Sequence, residues 1–171
     1  MVHKCAIQVN YRLPVAIRVP LYWAAGVAWG GAGPERVFPM ATLKFQNPPG
    51  IAKPGGYTHV VEAMGPGRIV YIAGQLGLKP DGQIAGDFRA QCTQAFENLS
   101  TALKSVGATW NDVVKLNNYL VDIGANLSAY RDVRDKYVNT SQPPASTTIG
   151  VPALARPDAL FESEAVVLLA K

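Results

Sequence analysis

Two glutamates stand in a largely apolar stretch of the 171-residue chain, "LFESEAVVLLA" at 160–170. Glu162 and Glu164 are two residues apart, so in a strand they project from the same face. The length and apolar content of the stretch predict burial on both faces. A carboxylate there is costly unless it is paired, protonated or turned toward a wet cavity. Two readings stand side by side. One is an edge strand, or ion pairs to Arg89 or Arg131; the other is a general acid or base in a cleft.

A second stretch, "QPPASTTIG" at 142–150, sets Ser146, Thr147 and Thr148 in a row with no charge. The prolines impose an extended entry, and β-branched Thr147, Thr148 and Ile149 favour a strand. The hydroxyls make either a plain turn or the floor of a pocket. "IAGQLGL" at 72–78 puts Gly74 and Gly77 around Gln75. Close backbone approach at glycine offers N–H groups to a carboxylate or oxyanion, or simply a bulge. No G-x-G-x-x-G opens a helix here, so this is not a dinucleotide fingerprint. "PGGYTH" at 54–59 places Tyr57 and His59 on one face of a strand start. Tyr57 suits a pocket wall or hydrogen-bond donor. A lone histidine such as His59 is more often solvated or satisfied than catalytic.

Other chemistries are disfavoured. The histidines are His3 and His59, the cysteines Cys5 and Cys92, with no H-x-x-H or C-x-x-C spacing. That argues against a metal site and for free thiols in a reducing, cytoplasmic setting. Cys92 falls on an apolar helical stripe and reads as core. No serine or cysteine triad is apparent.

Hydrophobic content of 49% and charge of 16% predict one folded domain. The net charge of +4 is uneven: residues 1–40 carry four basic residues against one acid, the remainder twelve against eleven. No basic stripe with interleaved aromatics follows, which argues against a nucleic-acid surface. Residues 1–40 are expected to be an extension to a single domain at 41–171. The readings for them are an upstream translation start, a cleaved export signal around "LYWAAGVAWGGAG", or an ordered appendage. No run reaches the length of a membrane span.

From Ala41 the pattern is regular. Strands are predicted at 42–46, 57–64 and 67–76, the last two joined by a Gly65-Pro66-Gly67 hairpin turn. Asp87 caps a helix whose stripe is Phe88, Cys92, Ala95, Phe96, Leu99, Leu103 and Val106, stopped by Gly107. A strand at 112–122 follows, then a helix opened by Asn126 with the stripe Leu127, Tyr130, Val133 and Tyr137. Strands at 146–151 and 160–169 close the chain. The order β-β-α-β-α-β-β predicts an α+β fold, a mixed sheet with two helices on one face.

The motifs "GGY" (55–57), "IVYIAGQLGL" (69–78), "QCTQAFENLSTALKSVGATWNDVVKLNNYLVD" (91–122), "PPAST" (143–147) and "ESEAVV" (162–167) occur in an order and spacing that resemble the Rid (YjgF-like) family of reactive-intermediate deaminases. The resemblance spans roughly residues 44–170. It implies a chorismate-mutase-like α+β fold and a homotrimer with a pocket at each subunit interface. It further implies hydrolysis of enamines and imines such as 2-aminoacrylate or 2-iminopropanoate, acting on C–N bonds without metal or organic cofactor. Residue by residue, Tyr57 matches the tyrosine lining the pocket, and Gly74 and Gln75 match an "SGQ" turn whose serine is Ala73 here. Glu162 matches the glutamate that positions water.

One position departs. Where the family reads P-A-R-S, with an arginine clamping the substrate carboxylate, this chain has Ser146 in Pro144-Ala145-Ser146-Thr147. A hydroxyl lacks the charge and planar fork of a guanidinium. The sequence therefore supports two functions: a deaminase-like hydrolase with Glu162 and Tyr57 as catalytic residues, or a non-catalytic trimer that binds a metabolite or protein. In either case Gly74, Gln75, Ser146, Thr147, Thr148, His59 and, as a substitute cation, Arg131 are the expected ligand-binding residues. Ribonuclease activity, a label carried by some relatives, has no paired histidine base to support it.

Overall fold

The strand at Gly67–Leu76 pairs with the last strand of the chain and not with the one before it. The computed structural model describes residues 41–170; the extension expected at 1–40 lies outside the described residues. Strands β1 (Thr42–Gln46) and β2 (Val60–Met64) form a two-stranded antiparallel ribbon, Thr42 opposite Met64. Strands β3 (Gly67–Leu76), β4 (Val113–Val121), β5 (Ala145–Val151) and β6 (Phe161–Ala170) form a second sheet in the order β3-β6-β4-β5. β4 and β5 are parallel and the other pairs antiparallel, so the sheet is mixed.

The Gly65-Pro66-Gly67 hairpin is thus a correction: that turn hands the chain from the ribbon to the larger sheet. Ten-residue β6 gives β3 apolar cross-strand partners, Ile69 opposite Leu168 and Tyr71 opposite Val166. β2 is five residues long and mostly exposed, and cannot match this. Tyr57 lies in the loop before β2, and Thr58 makes an isolated bridge with Ala145 at the β5 edge.

Helix α1 (Phe88–Ser105) starts where Asp87 accepts from the Ala90 N–H at 2.9 Å. Its predicted stripe is buried from Phe88 to Leu103. Helix α2 (Ile123–Arg134) begins three residues before Asn126, where the sequence placed its start. Asp122 takes a left-handed conformation (φ 49°), one that a short polar side chain tolerates, and its carboxylate accepts from the Ala125 N–H at 3.4 Å. Asn126 instead donates from Nδ2 to the Val121 carbonyl at 2.9 Å, tying the first turn to β4.

The helices cover one sheet face. Phe96, Leu99 and Leu103 meet Leu116, Leu120, Phe161 and Val167 in a common core. Phe96 has no exposed surface, and its ring stacks on Tyr137 and Phe161 at 5.1 and 5.8 Å. Truncating a side chain so enclosed leaves a cavity the rigid rings cannot fill. Phe96→Ala is expected to lower unfolding free energy by about 3–5 kcal/mol, read from the urea midpoint. Cys92 sits on the same stripe, and burial pushes its thiol up to about 12, with Arg89 opposing weakly. At pH 8 the thiolate nucleophile is scarce and shielded. Iodoacetamide is expected to label the Cys92 peptide only after denaturation, as judged by mass mapping.

Within the single chain the opposite face of β6 is left half-open. Phe161, Ser163, Ala165 and Val167 are buried, whereas Glu162, Glu164 and Val166 are half-exposed. Among the described residues, helices pack on one face only. On the open side Ile69 and Tyr71 stay 58% and 78% exposed.

Candidate functional site

Strand alternation divides the chemistry-bearing residues between the two faces. On the open face, Asn117, Tyr119, Glu162 and Glu164 are cross-strand neighbours: Asn117 pairs with Glu164, Tyr119 with Glu162. Glu164 accepts from Asn117 Nδ2 at 2.7 Å and from the Tyr119 hydroxyl at 3.3 Å. Burial first, and then the Glu164 charge, hold the Tyr119 phenol above its usual range. Neither glutamate pairs with Arg89, which bonds Asp132 at 2.9 Å, or with Arg131.

Glu162 differs from its neighbour. Among the described residues it makes no hydrogen bond or ion pair. Burial raises its pKa, and the like charge of Glu164 raises it further. Its carboxylate lies against Gly74, where a Cβ would run into Oε1. Gly74 belongs to a bulge: between Ile72 and Gln75, β3 has two residues where β6 has only Glu164. Gln75 folds its side-chain amide back onto the Ala73 carbonyl at 3.0 Å. A proton-accepting carboxylate and an irregular backbone segment thus meet at one spot.

The helix-side face holds the other group. A pocket of about 410 Å³ lies between α2 and β5, lined by Tyr57, Arg131, Arg134, Ser146, Thr147 and Thr148, with Ile123, Leu127 and Tyr130 as apolar wall. Asn118, on the buried register of β4, organises its floor. Asn118 Oδ1 accepts from the Ser163 hydroxyl at 2.8 Å, and its Nδ2 donates to Ser146 Oγ and the Thr147 carbonyl, each at 3.2 Å. Ser146 Oγ is therefore an acceptor on its strand side, and its own hydrogen is left for the pocket. Lys115 Nζ donates to the Thr147 hydroxyl, turning that group to the open face. His59 is not a lining residue. Its Nε2 lies 2.8 Å from the Ala52 carbonyl, and its ring sets edge-on to Tyr57 at 5.3 Å, so it braces Tyr57. A larger cleft of about 700 Å³ runs from Phe45 past Pro54 to Pro143; Tyr57 lines both, but among the described residues Lys53 is its one charged side chain.

The structure therefore brings Tyr57, Ser146, Thr148 and Arg131 together, and separately Glu162, Gly74 and Gln75; Thr147 borders the pocket but its hydroxyl faces the open side. It does not join the two groups within one chain. Sequence reasoning missed Arg134, Asn118 and Asn117. Two left a signal: Arg134 stands four residues after Tyr130 and seven after Leu127, on the apolar stripe of α2, and Asn118 interrupts the buried alternation Leu116, Leu120. Among the described residues, no helix is long and apolar enough to cross a membrane.

Comparison with known proteins adds a family context. A family model described as endoribonuclease L-PSP matches residues 50–169. A RutC family protein of Pyrococcus abyssi is 34% identical over 114 residues, which are 66% of this chain and 85% of that protein. A 2-iminobutanoate/2-iminopropanoate deaminase of Dermatophagoides farinae is 31% identical over 117 residues, 67% of this chain and 87% of its own. Among solved structures, the Rid-family protein YyfB of Yersinia pestis, of unknown function, superposes with a TM-score of 0.67 at 36% identity, covering 74% of this chain and 98% of that one. RidA from an Antarctic Psychrobacter gives 0.57 at 30% identity, covering 73% and 98%.

Proposed function

The chain belongs to the Rid (YjgF-like) family, whose sequence model bears the description endoribonuclease L-PSP, and on that premise we propose that it hydrolyses a small imine or enamine. The observation that carries this reading is Glu162: a half-buried carboxylate without a partner among the described residues, its pKa raised by burial and Glu164, set against the Gly74 bulge. Water attacks the imine carbon while Glu162 takes its proton. Glu162 returns that proton to the nitrogen to give the carbinolamine. Its carbon–nitrogen bond then breaks with the electron pair going to nitrogen, while Glu162 relays the O–H proton to the leaving NH2 group as the carbonyl forms. The products are a carbonyl compound and ammonia, and no redox partner is needed. This reading assigns the stabilisation of the developing charge to backbone N–H groups of the bulge at Ala73 and Gly74.

Glu162 and the pocket lie on opposite faces of one sheet, so the reacting centre is assembled between copies, with the Glu162 face of one meeting the Tyr57–Ser146 pocket of the next. The exposed Ile69 and Tyr71 supply an apolar surface for that contact. A homotrimer matches this arrangement. The reading is tested by ammonia and 2-oxo acid release from 2-aminoacrylate generated in situ. Turnover that tracks protein concentration supports it, and none above the spontaneous rate overturns it.

Ser146 favours a second reading, a trimer that binds a metabolite and leaves it intact, because a hydroxyl stands where the family has an arginine. Saturable binding by calorimetry with no product would decide for it.

A further inference from the structure

We propose that Arg134, on α2, binds the carboxylate of the ligand in the pocket beside Ser146. This deepens the reading above and rests on it only in taking that pocket as the ligand's. Arg134 is 5% exposed, yet its neutralisation is one-sided. Nε donates to Asp135 Oδ1 at 2.8 Å and Nη2 lies 2.7 Å from the same oxygen, while Nη1 makes no hydrogen bond among the described residues. Asp135 itself is half in solvent, so the buried guanidinium keeps one edge for a second acceptor. That edge is not sealed from solvent, so a ligand entering the pocket can reach it.

The surroundings are built for it. Gly56 has φ +83°, and a Cβ there would run into Arg134 Nη2, so the glycine turn closes over the guanidinium only because it lacks a side chain. Beneath, the centre of the Tyr130 ring lies 5.5 Å from Arg134 Cζ, a cation–π contact. Alongside, the Ser146 hydroxyl is left to donate because Asn118 fills its acceptor side. Among the described residues the lining contains two arginines and no carboxylate. A guanidinium edge and a hydroxyl match the two oxygens of a planar monoanion, and Ile123 and Leu127 suit a short apolar tail. Arg131, the cation expected from sequence, is exposed at the rim and already one helical turn away. A cation thus enters this pocket from α2, on the wall across from Ser146.

The test compares 2-oxobutanoate with its neutral primary amide on the full chain, by titration calorimetry. Wild type is expected to prefer the anion by about 30-fold or more, as loss of a buried charged contact implies. Arg134→Gln should abolish that preference while amide binding stays within about threefold, and Arg134→Lys should keep part of it. Arg131→Gln should change it less than about fivefold. Equal anion affinity in wild type and Arg134→Gln, no anion preference in wild type, or a larger loss in Arg131→Gln would each overturn the proposal. Should Arg134→Gln not fold, a guanidinium ¹⁵N signal missing in Arg134→Lys must shift when 2-oxobutanoate is added to wild type; no shift also overturns it. Binding is read without turnover, so anion binding through Arg134 with no ammonia release defeats only the hydrolase, whereas turnover unaffected by Arg134→Gln defeats only this assignment.

Discussion

Glu162→Gln is expected to lower kcat for imine hydrolysis by about 10²–10⁴-fold while leaving KM nearly unchanged, measured as ammonia release. Gln keeps the shape against Gly74 but cannot accept the water proton. The same substitution should stabilise the fold at neutral pH. Glu162 has a raised pKa in the folded protein, so the folded state binds its proton more readily than the unfolded chain does. Its favourable contribution is therefore fully present below the unfolded pKa and is lost as pH rises through the folded pKa. Thermal melts should show the variant above wild type at pH 7 and the gap closing on acidification. The pH–rate profile follows from the same group: activity requires the carboxylate, so the acid limb should lie above the ordinary glutamate range. Glu164→Gln, which removes the like charge, should move that limb down. An activity loss without the stability gain would mean Glu162 is paired in solution and is not a poised base.

The second large effect comes from mixing subunits. Leu127→Trp fills the apolar wall of the α2–β5 pocket, and Glu162→Gln disables the open face; each alone should be nearly inactive. If the centre spans two copies, co-refolded chains form some interfaces with an intact Glu162 on one side and an intact pocket on the other. Random assembly of equal amounts restores about a quarter of wild-type turnover. Were the centre contained in one chain, every chain in the mixture would carry a broken site and activity would stay at baseline. Light scattering on the same sample gives the assembly size.

Local chemistry made much of the chain legible. Asp87 and the three- and four-residue spacing of Phe88, Cys92, Phe96 and Leu99 define α1 wherever the helix packs, because capping and periodicity act within a few residues. The prolines at 143 and 144 and the β-branched run after them define β5 for the same reason. The parity of Glu162 and Glu164, two residues apart in a strand, placed both on one face, and the structure keeps them there.

Strand partnership was not legible in this way. The Gly65-Pro66-Gly67 turn is compatible with a hairpin, and its outcome depends on what β6, a hundred residues on, offers β3. Which face of β6 is buried depends likewise on where the helices lie. The candidate site shows the difference most plainly. From the sequence, Glu162, Tyr57 and Ser146 belong to one list, and Arg134 is one of several helical arginines. The tertiary structure sends Glu162 to one side of the sheet and Ser146 to the other, because the β4–β5 register sets Ser146 beside buried Leu116 and the β4–β6 register sets Glu162 beside Tyr119 on the open face. It also buries Arg134 under Gly56, 78 residues away in the chain. Residue types and spacing determine what chemistry the chain can do. Which of those groups can touch one molecule is set by strand register and helix packing between distant segments.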